Sequence, residues 1–180
     1  MSDRQTIDFV GEQAVPAGEL LRRFDSLDPI SPADLEGLWR GRGVPSGHPL
    51  DGVLENLGWF GKRCRADGRA DALLFEFEPR HLTPIEAGAI PLGLALRLAS
   101  WGRTRMARNL FYHLRKPLRA RGPTAGLQFR ECRGVTTAAM IYDRQPITDY
   151  FRRIDGDKVL GLMSVKDDPR HYFFVLTREG

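Results

Sequence analysis

Apolar and polar positions alternate with a period of two over much of this chain, and that spacing predicts β-strands. The clearest stretch is Gly37-Leu38-Trp39-Arg40-Gly41-Arg42-Gly43, which sets Gly37, Trp39, Gly41 and Gly43 on one face and Leu38, Arg40 and Arg42 on the other. One large ring among hydrogens suits a crowded, strongly curved sheet whose interior alternates small and large side chains. Further strands are expected at 59–65, 73–78, 127–133, 135–142, 147–154, 158–166 and 170–178. Within 73–78, Phe75 and Phe77 share one face and Glu76 and Glu78 the other.

Elsewhere the period lengthens to that of a helix. Pro16 opens a helix over about 16–27, with Leu20, Leu21, Phe24 and Leu27 on one stripe. Ser31-Pro32-Ala33-Asp34 predicts a single capped turn. Pro49 opens a short helix over 48–58, with Leu50, Val53, Leu54 and Leu57 as its apolar stripe. Thr83 and Glu86 form a capping-box pattern ahead of a helix over 84–101, kinked at Pro91. Met106, Leu110 and Leu114 repeat at four-residue spacing in a second helix. Residues 1–14 show no period and are expected to be an arm. The sum is a mainly β chain: one antiparallel β-barrel of about eight strands at 31–180, preceded by an arm and helix at 1–30. A helical insertion at 83–120, after the third strand, divides the barrel into 31–82 and 121–180.

Composition narrows the partners. At 180 residues the chain suffices for one well-buried core. MSDRQTIDFV lacks the apolar segment of a secretory signal, and 85–99 is too short to span a bilayer, so a cytoplasmic protein without a membrane partner is expected. Cys64 and Cys132 read as reduced strand residues. The net charge of +4 conceals an asymmetry: residues 1–36 hold eight acids against three bases, whereas 87–130 hold no acid. That stretch carries Arg97, Arg103, Arg105, Arg108, Arg115, Lys116, Arg119, Arg121 and Arg130. Three readings compete, a solvated helix face, a nucleic-acid footprint or a site for an anionic small ligand, and the scarcity of interleaved aromatics weighs against the second.

Several motifs carry chemistry or a likeness. Gly37–Gly41, Gly47-His48-Pro49-Leu50-Asp51-Gly52 and Gly58-Trp59-Phe60-Gly61-Lys62-Arg63 stand in the first half. Arg133-Gly134-Val135, Met140-Ile141-Tyr142-Asp143, Pro146-Ile147-Thr148-Asp149, Phe151-Arg152, Val159-Leu160-Gly161 and Phe173-Phe174-Val175-Leu176 stand in the second. In order and spacing the chain resembles bacterial proteins that join a GXWXG domain to a DUF4334 domain, over about 31–66 and 127–178. It departs from them at Ser164, where that family carries an acid, and at Asp167, where it carries glycine. A looser likeness to the calycins, lipocalins included, implies a lipocalin-like barrel with Trp39 closing its floor and Arg178 stacked over the indole.

Candidate acid/base residues are His48 with Asp51, three positions on, and Tyr142 with Asp143 at the end of a strand of small residues. Candidate ligand-contacting residues are Trp39, Trp59, Lys62, Arg133, Met140, Asp149, Arg152 and Lys166. A cation inside a barrel must find a carboxylate, and Asp149 or Asp143 is the expected partner. No nucleotide-binding, zinc or nucleophile-elbow motif is present, so no cofactor or metal is expected. The leading reading is a cavity for an apolar or amphipathic small molecule. The chemistry would be cofactor-independent, of the cyclase, isomerase or lyase kind, with its substrate in secondary metabolism. That setting is compatible with the 23 Arg against 4 Lys of a high-GC genome. A carrier or sensor without turnover is the rival, nucleic-acid binding through 97–130 a third reading, and a homodimer is left open.

Overall fold

The structure, a computed structural model, describes residues 14–180. Most of the arm expected at 1–14 lies outside the described residues. Helix α1, Ala17–Ser26, follows Pro16 and buries Leu20 and Phe24 completely. A two-residue strand β1, Asp28–Pro29, leads to a 3-10 turn at Ala33–Leu35, where the Ser31 hydroxyl accepts the Asp34 N–H at 3.2 Å. Then come β2 (Gly37–Val44), α2 (Val53–Leu57), β3 (Trp59–Cys64), β4 (Arg69–Glu78) and β5 (His81–Pro84). A 3-10 turn at Ala87–Ala89 precedes α3 (Leu92–Arg97), α4 (Ala99–Gly102) and α5 (Arg105–Leu114). The chain closes with β6 (Ala125–Cys132), β7 (Val135–Tyr142), β8 (Ile147–Arg153), β9 (Lys158–Val165) and β10 (Asp168–Arg178).

Eight of these strands form a closed antiparallel barrel in the order β2, β3, β4, β6, β7, β8, β9, β10 and back to β2. The interior holds Trp39, Trp59, Phe75, Met140, Tyr142, Phe151, Met163, Tyr172 and Phe174. A second apolar cluster lies on the outer wall, where Leu20 and Phe24 of α1 cover Val44, Leu160, Leu162, Phe173 and Val175. Strand alternation thus feeds two cores, one per face of the sheet.

At one end Trp39 is the floor. Its indole N–H donates to the Leu35 carbonyl at 2.7 Å, and the Arg178 guanidinium lies 4.2 Å from its ring centroid. Arg178 also donates to the carbonyls of Glu36 (2.6 Å) and Asp34 (2.7 Å), locking the last strand onto the first. The inward face of β2 is otherwise hydrogen, and this makes room for rings from across the barrel. A Cβ on Gly41 would stand 2.3 Å from the Trp59 ring, and one on Gly43 would stand 2.4 Å from the Tyr172 oxygen.

The other end is open at a seam. Strands β4 and β6 pair only through Arg69↔Gly126 and Ala70↔Ala125, after which β5 takes over the free edge of β4. The insertion enters and leaves there, since Glu86 N–H donates to Leu118 O and Ala120 N–H to Pro84 O, both at 2.9 Å. The single helix expected over 84–101 is therefore replaced by the end of β5, a 3-10 turn and two short helices. Pro84 pairs with Leu74 in the sheet, Thr83 is a strand residue, and Glu86 caps the 3-10 turn by accepting the Gly88 N–H at 3.0 Å. The helix expected over 48–58 shrinks to α2, because Gly52 adopts φ +75° and turns the chain ahead of it.

Candidate functional site

Lys62 faces the barrel interior because of a bulge. Strict alternation would group it with Phe60, on the face opposite Trp59. At Gly61 the β3–β4 ladder shifts register, the backbone takes φ +147°, and Lys62 joins Trp59 inside. Only glycine fits there, since a Cβ would lie 2.0 Å from the Trp39 carbonyl oxygen. Phe60 stays outside under the Arg40 guanidinium, 4.4 Å from its ring centroid.

All three ammonium hydrogens of Lys62 are engaged. Nζ donates to the Ala72 carbonyl (3.0 Å), the Tyr142 hydroxyl oxygen (3.0 Å) and Asp149 Oδ2 (2.7 Å). The Tyr142 hydroxyl in turn donates to Asp149 Oδ2 at 3.2 Å. The ion pair is essentially sealed from solvent, at 2 % and 1 % side-chain exposure. Burial alone would depress the ammonium's pKa, but the Asp149 carboxylate and Tyr142 outweigh it and hold Lys62 above its ordinary value. Burial and the same carboxylate push the Tyr142 phenol well above its usual range, against the pull of Lys62. Asp149 Oδ1 is buried with no hydrogen-bond partner among the described residues. Across β7, β8 and β9 the carboxylate is flanked by Met140 and Met163, its register partners.

Tyr142 also lines a cavity of about 150 Å³ between the barrel strands and the insertion. Its walls include Val53 and Leu57 of α2, Phe75 of β4, Ile85, Phe111 of α5 and Met163 of β9. Tyr142 and Gln145 are its polar liners, and the Gln145 amide donates to the carbonyls of Ala87 (2.9 Å) and Ile90 (2.8 Å), pinning the insertion over the cavity. A volume of about this size holds one benzene-sized molecule.

The other expected residues scatter. His48 is buried, and its Nδ1 accepts the Leu50 N–H at 3.2 Å, so neutral imidazole carries its proton on Nε2. That nitrogen has no hydrogen-bond partner among the described residues, and the ring centroid lies 5.6 Å from that of Tyr172. Burial lowers the His48 pKa, with Asp51 opposing the shift. Asp51 does not orient the imidazole through a hydrogen bond: its Oδ2 collects the backbone N–H groups of Ser46 (2.8 Å), Gly47 (2.8 Å) and His48 (2.9 Å) and so builds the loop. Asp143 is exposed and paired with Arg69 outside the cavity, because the chain leaves the barrel after Tyr142. Arg133, in the β6–β7 turn, grips Asp25 of α1 at 2.6 and 2.8 Å. Arg152 is buried on the outer wall, 5.2 Å from the Phe24 ring centroid, and donates to the Cys132 carbonyl at 3.3 Å. Lys166 is exposed beyond β9. The expected ligand set thus contracts: Trp59, Lys62, Met140, Tyr142 and Asp149 share the barrel interior, and Trp39 is its floor. Tyr172, Phe174 and Gln145 were missed. A signal for the first two was present, since both lie on the same period-two face of the aromatic last strand.

Comparison with known proteins agrees with this layout. Residues 22–78 match the GXWXG protein family, and residues 123–178 match the domain of unknown function DUF4334. The chain joins a GXWXG domain to a DUF4334 domain. It superposes on the crystal structure of a protein from Thermomonospora curvata with a TM-score of 0.68 and 28 % identity, over 93 % of this chain and 90 % of that one. No curated protein matches the sequence significantly. The GXWXG part supplies Trp39, Trp59 and Lys62, the DUF4334 part supplies Tyr142 and Asp149, and the ion pair joins the two parts inside the barrel. Ser164 follows the inward Met163 on β9, so its exchange for the family's acid falls on the opposite face of the strand. Asp167 takes φ +65° in the β9–β10 turn, the conformation that favours the family's glycine.

Proposed function

We propose that this GXWXG–DUF4334 protein binds a largely apolar small molecule in the cavity and turns it over by cofactor-independent acid/base chemistry. The reading rests on Tyr142, whose side chain lines the apolar cavity while its hydroxyl belongs to the buried Lys62–Asp149 cluster. A ligand oxygen beside that phenol would be polarised by its O–H, since the hydroxyl proton is free to rotate away from Asp149. Lys62, donating to the phenol oxygen, would stabilise the charge that develops there. Asp149 keeps a buried, unpaired oxygen in the same cluster and, lying behind the phenol rather than on the cavity wall, would exchange protons with the ligand through the Tyr142 hydroxyl. A donor at oxygen and a base nearby are what enolisation needs, which fits isomerase, cyclase or lyase chemistry on a carbonyl compound. The cavity's size limits the part of the substrate it encloses to about one six-membered ring.

A carrier without turnover is the second reading, favoured by the saturation of all three Lys62 hydrogens inside the protein. Deuterium exchange separates the two. The compound recovered from the native protein, incubated with the chain in D2O and followed by NMR, should gain deuterium next to its carbonyl. Tyr142→Phe should still bind it while exchange falls by about 100-fold or more. Unlabelled compound with the wild-type chain would leave only the carrier.

A further inference from the structure

We propose that the cap formed by α3, α4 and α5 docks on an anionic lipid surface, an inference that stands apart from the reading of the cavity. Of the seven large apolar side chains exposed among the described residues, six are here: Leu94, Leu98, Trp101, Met106, Leu110 and Leu114. Met106, Leu110 and Leu114 form one exposed stripe of α5, while Ala107 and Phe111 of the same helix are buried. An exposed apolar face of this extent calls for a partner.

Charge selects among partners. From residue 87 to 130 the chain has no acid. Arg97, Arg105, Arg108 and Lys116 are exposed and make no ion pair among the described residues. Just beyond α5, Lys116, Arg119 and His81 line a second cavity of about 170 Å³ together with Arg115, which is paired there with Glu78 at 3.6 Å. A second copy of this face would set one basic rim against another. A nucleic acid would use the cations and leave Leu94, Leu98, Met106, Leu110 and Leu114 in water. A bilayer interface with anionic headgroups satisfies both sets at once: phosphates meet the arginines, and leucine, methionine and tryptophan enter the acyl boundary. No helix among the described residues is long and apolar enough to cross a membrane, so the cap would lie on the surface.

The test is flotation of the full chain with vesicles of phosphatidylcholine alone and with vesicles containing equal phosphatidylcholine and phosphatidylglycerol. Binding is expected to the anionic vesicles, weakening as salt rises. The double substitution Met106→Glu, Leu110→Glu replaces two exposed side chains, so its melting temperature should be unchanged while vesicle affinity falls at least about tenfold. Three results would overturn the proposal. The wild-type chain could stay unbound on both vesicle types. The folded double variant could bind as well as wild type. Or sedimentation without lipid could reveal a dimer that the double substitution dissolves, which assigns the face to a second copy.

Discussion

The Lys62 ammonium has three hydrogens and three acceptors, and Asp149 Oδ2 receives both it and the Tyr142 hydroxyl, so the cluster is a unit. Removing one member strands a buried charge, whereas removing the pair does not. Lys62→Met and Asp149→Leu are each expected to cost about 3–5 kcal/mol in urea denaturation, and the double variant less than their sum. Strictly additive losses would show that the two charges do not interact. The imidazoles give a pH signature. Burial lowers the pKa of both His48 and His171 in the folded chain. As pH falls below about 6.5, the unfolded chain takes up these protons first. Stability should therefore be fully present above that pH and decline as pH falls towards the lowered folded values. Denaturation midpoints between about pH 7.5 and 5.5 should flatten in the His48→Gln, His171→Gln variant. A slope equal to wild type would assign the effect to other groups.

At the scale of the elements, the Gly61 bulge decides where the chemistry sits. Gly61→Ala combines φ +147° with a Cβ 2.0 Å from the Trp39 oxygen. It should cost about 3 kcal/mol or more, read as a drop in melting temperature, and disturb the Lys62 cluster with it. A drop no larger than that of a surface substitution would mean that the ladder can re-register freely. The same bulge marks the limit of what sequence spacing reveals. Strands β2, β7, β8 and β9 lie where alternation puts them, because each has one face in a core. The Arg178–Trp39 stack was expected from the likeness to the calycins, not from the spacing. Lys62 was legible only as one of four strand cations, with Arg133, Arg152 and Lys166, of which at least one had to point inward and find a carboxylate; which one was not legible, since a bulge changes the phase without changing composition. Arg152 was misjudged for a different reason: α1 gives the outer wall its own core, so a buried strand position is not necessarily an inward one. The segment at 81–90 misled because a capping-box pattern also suits a strand edge followed by a 3-10 turn.

For the whole molecule, the seam between β4 and β6 lets one barrel hold both a sealed ion pair and an accessible cavity. The closed end, with Trp39 and Arg178, and the α1 layer on the outer wall supply rigidity, and the insertion at the open end supplies a wall that Gln145 pins in place. A cap that rests on lipid would also bring an apolar compound to that wall, a consequence that depends on both proposals holding. Everything functional turns on whether the cavity is occupied in the cell. Native mass spectrometry of the full chain, isolated from the organism that makes it, asks this directly, with Ala95→Phe, which fills the cavity from α3, isolated in parallel. The expected result is a small-molecule adduct on the wild-type chain that is missing from the variant. The contradicting result is the bare mass for both chains, or the same adduct on both.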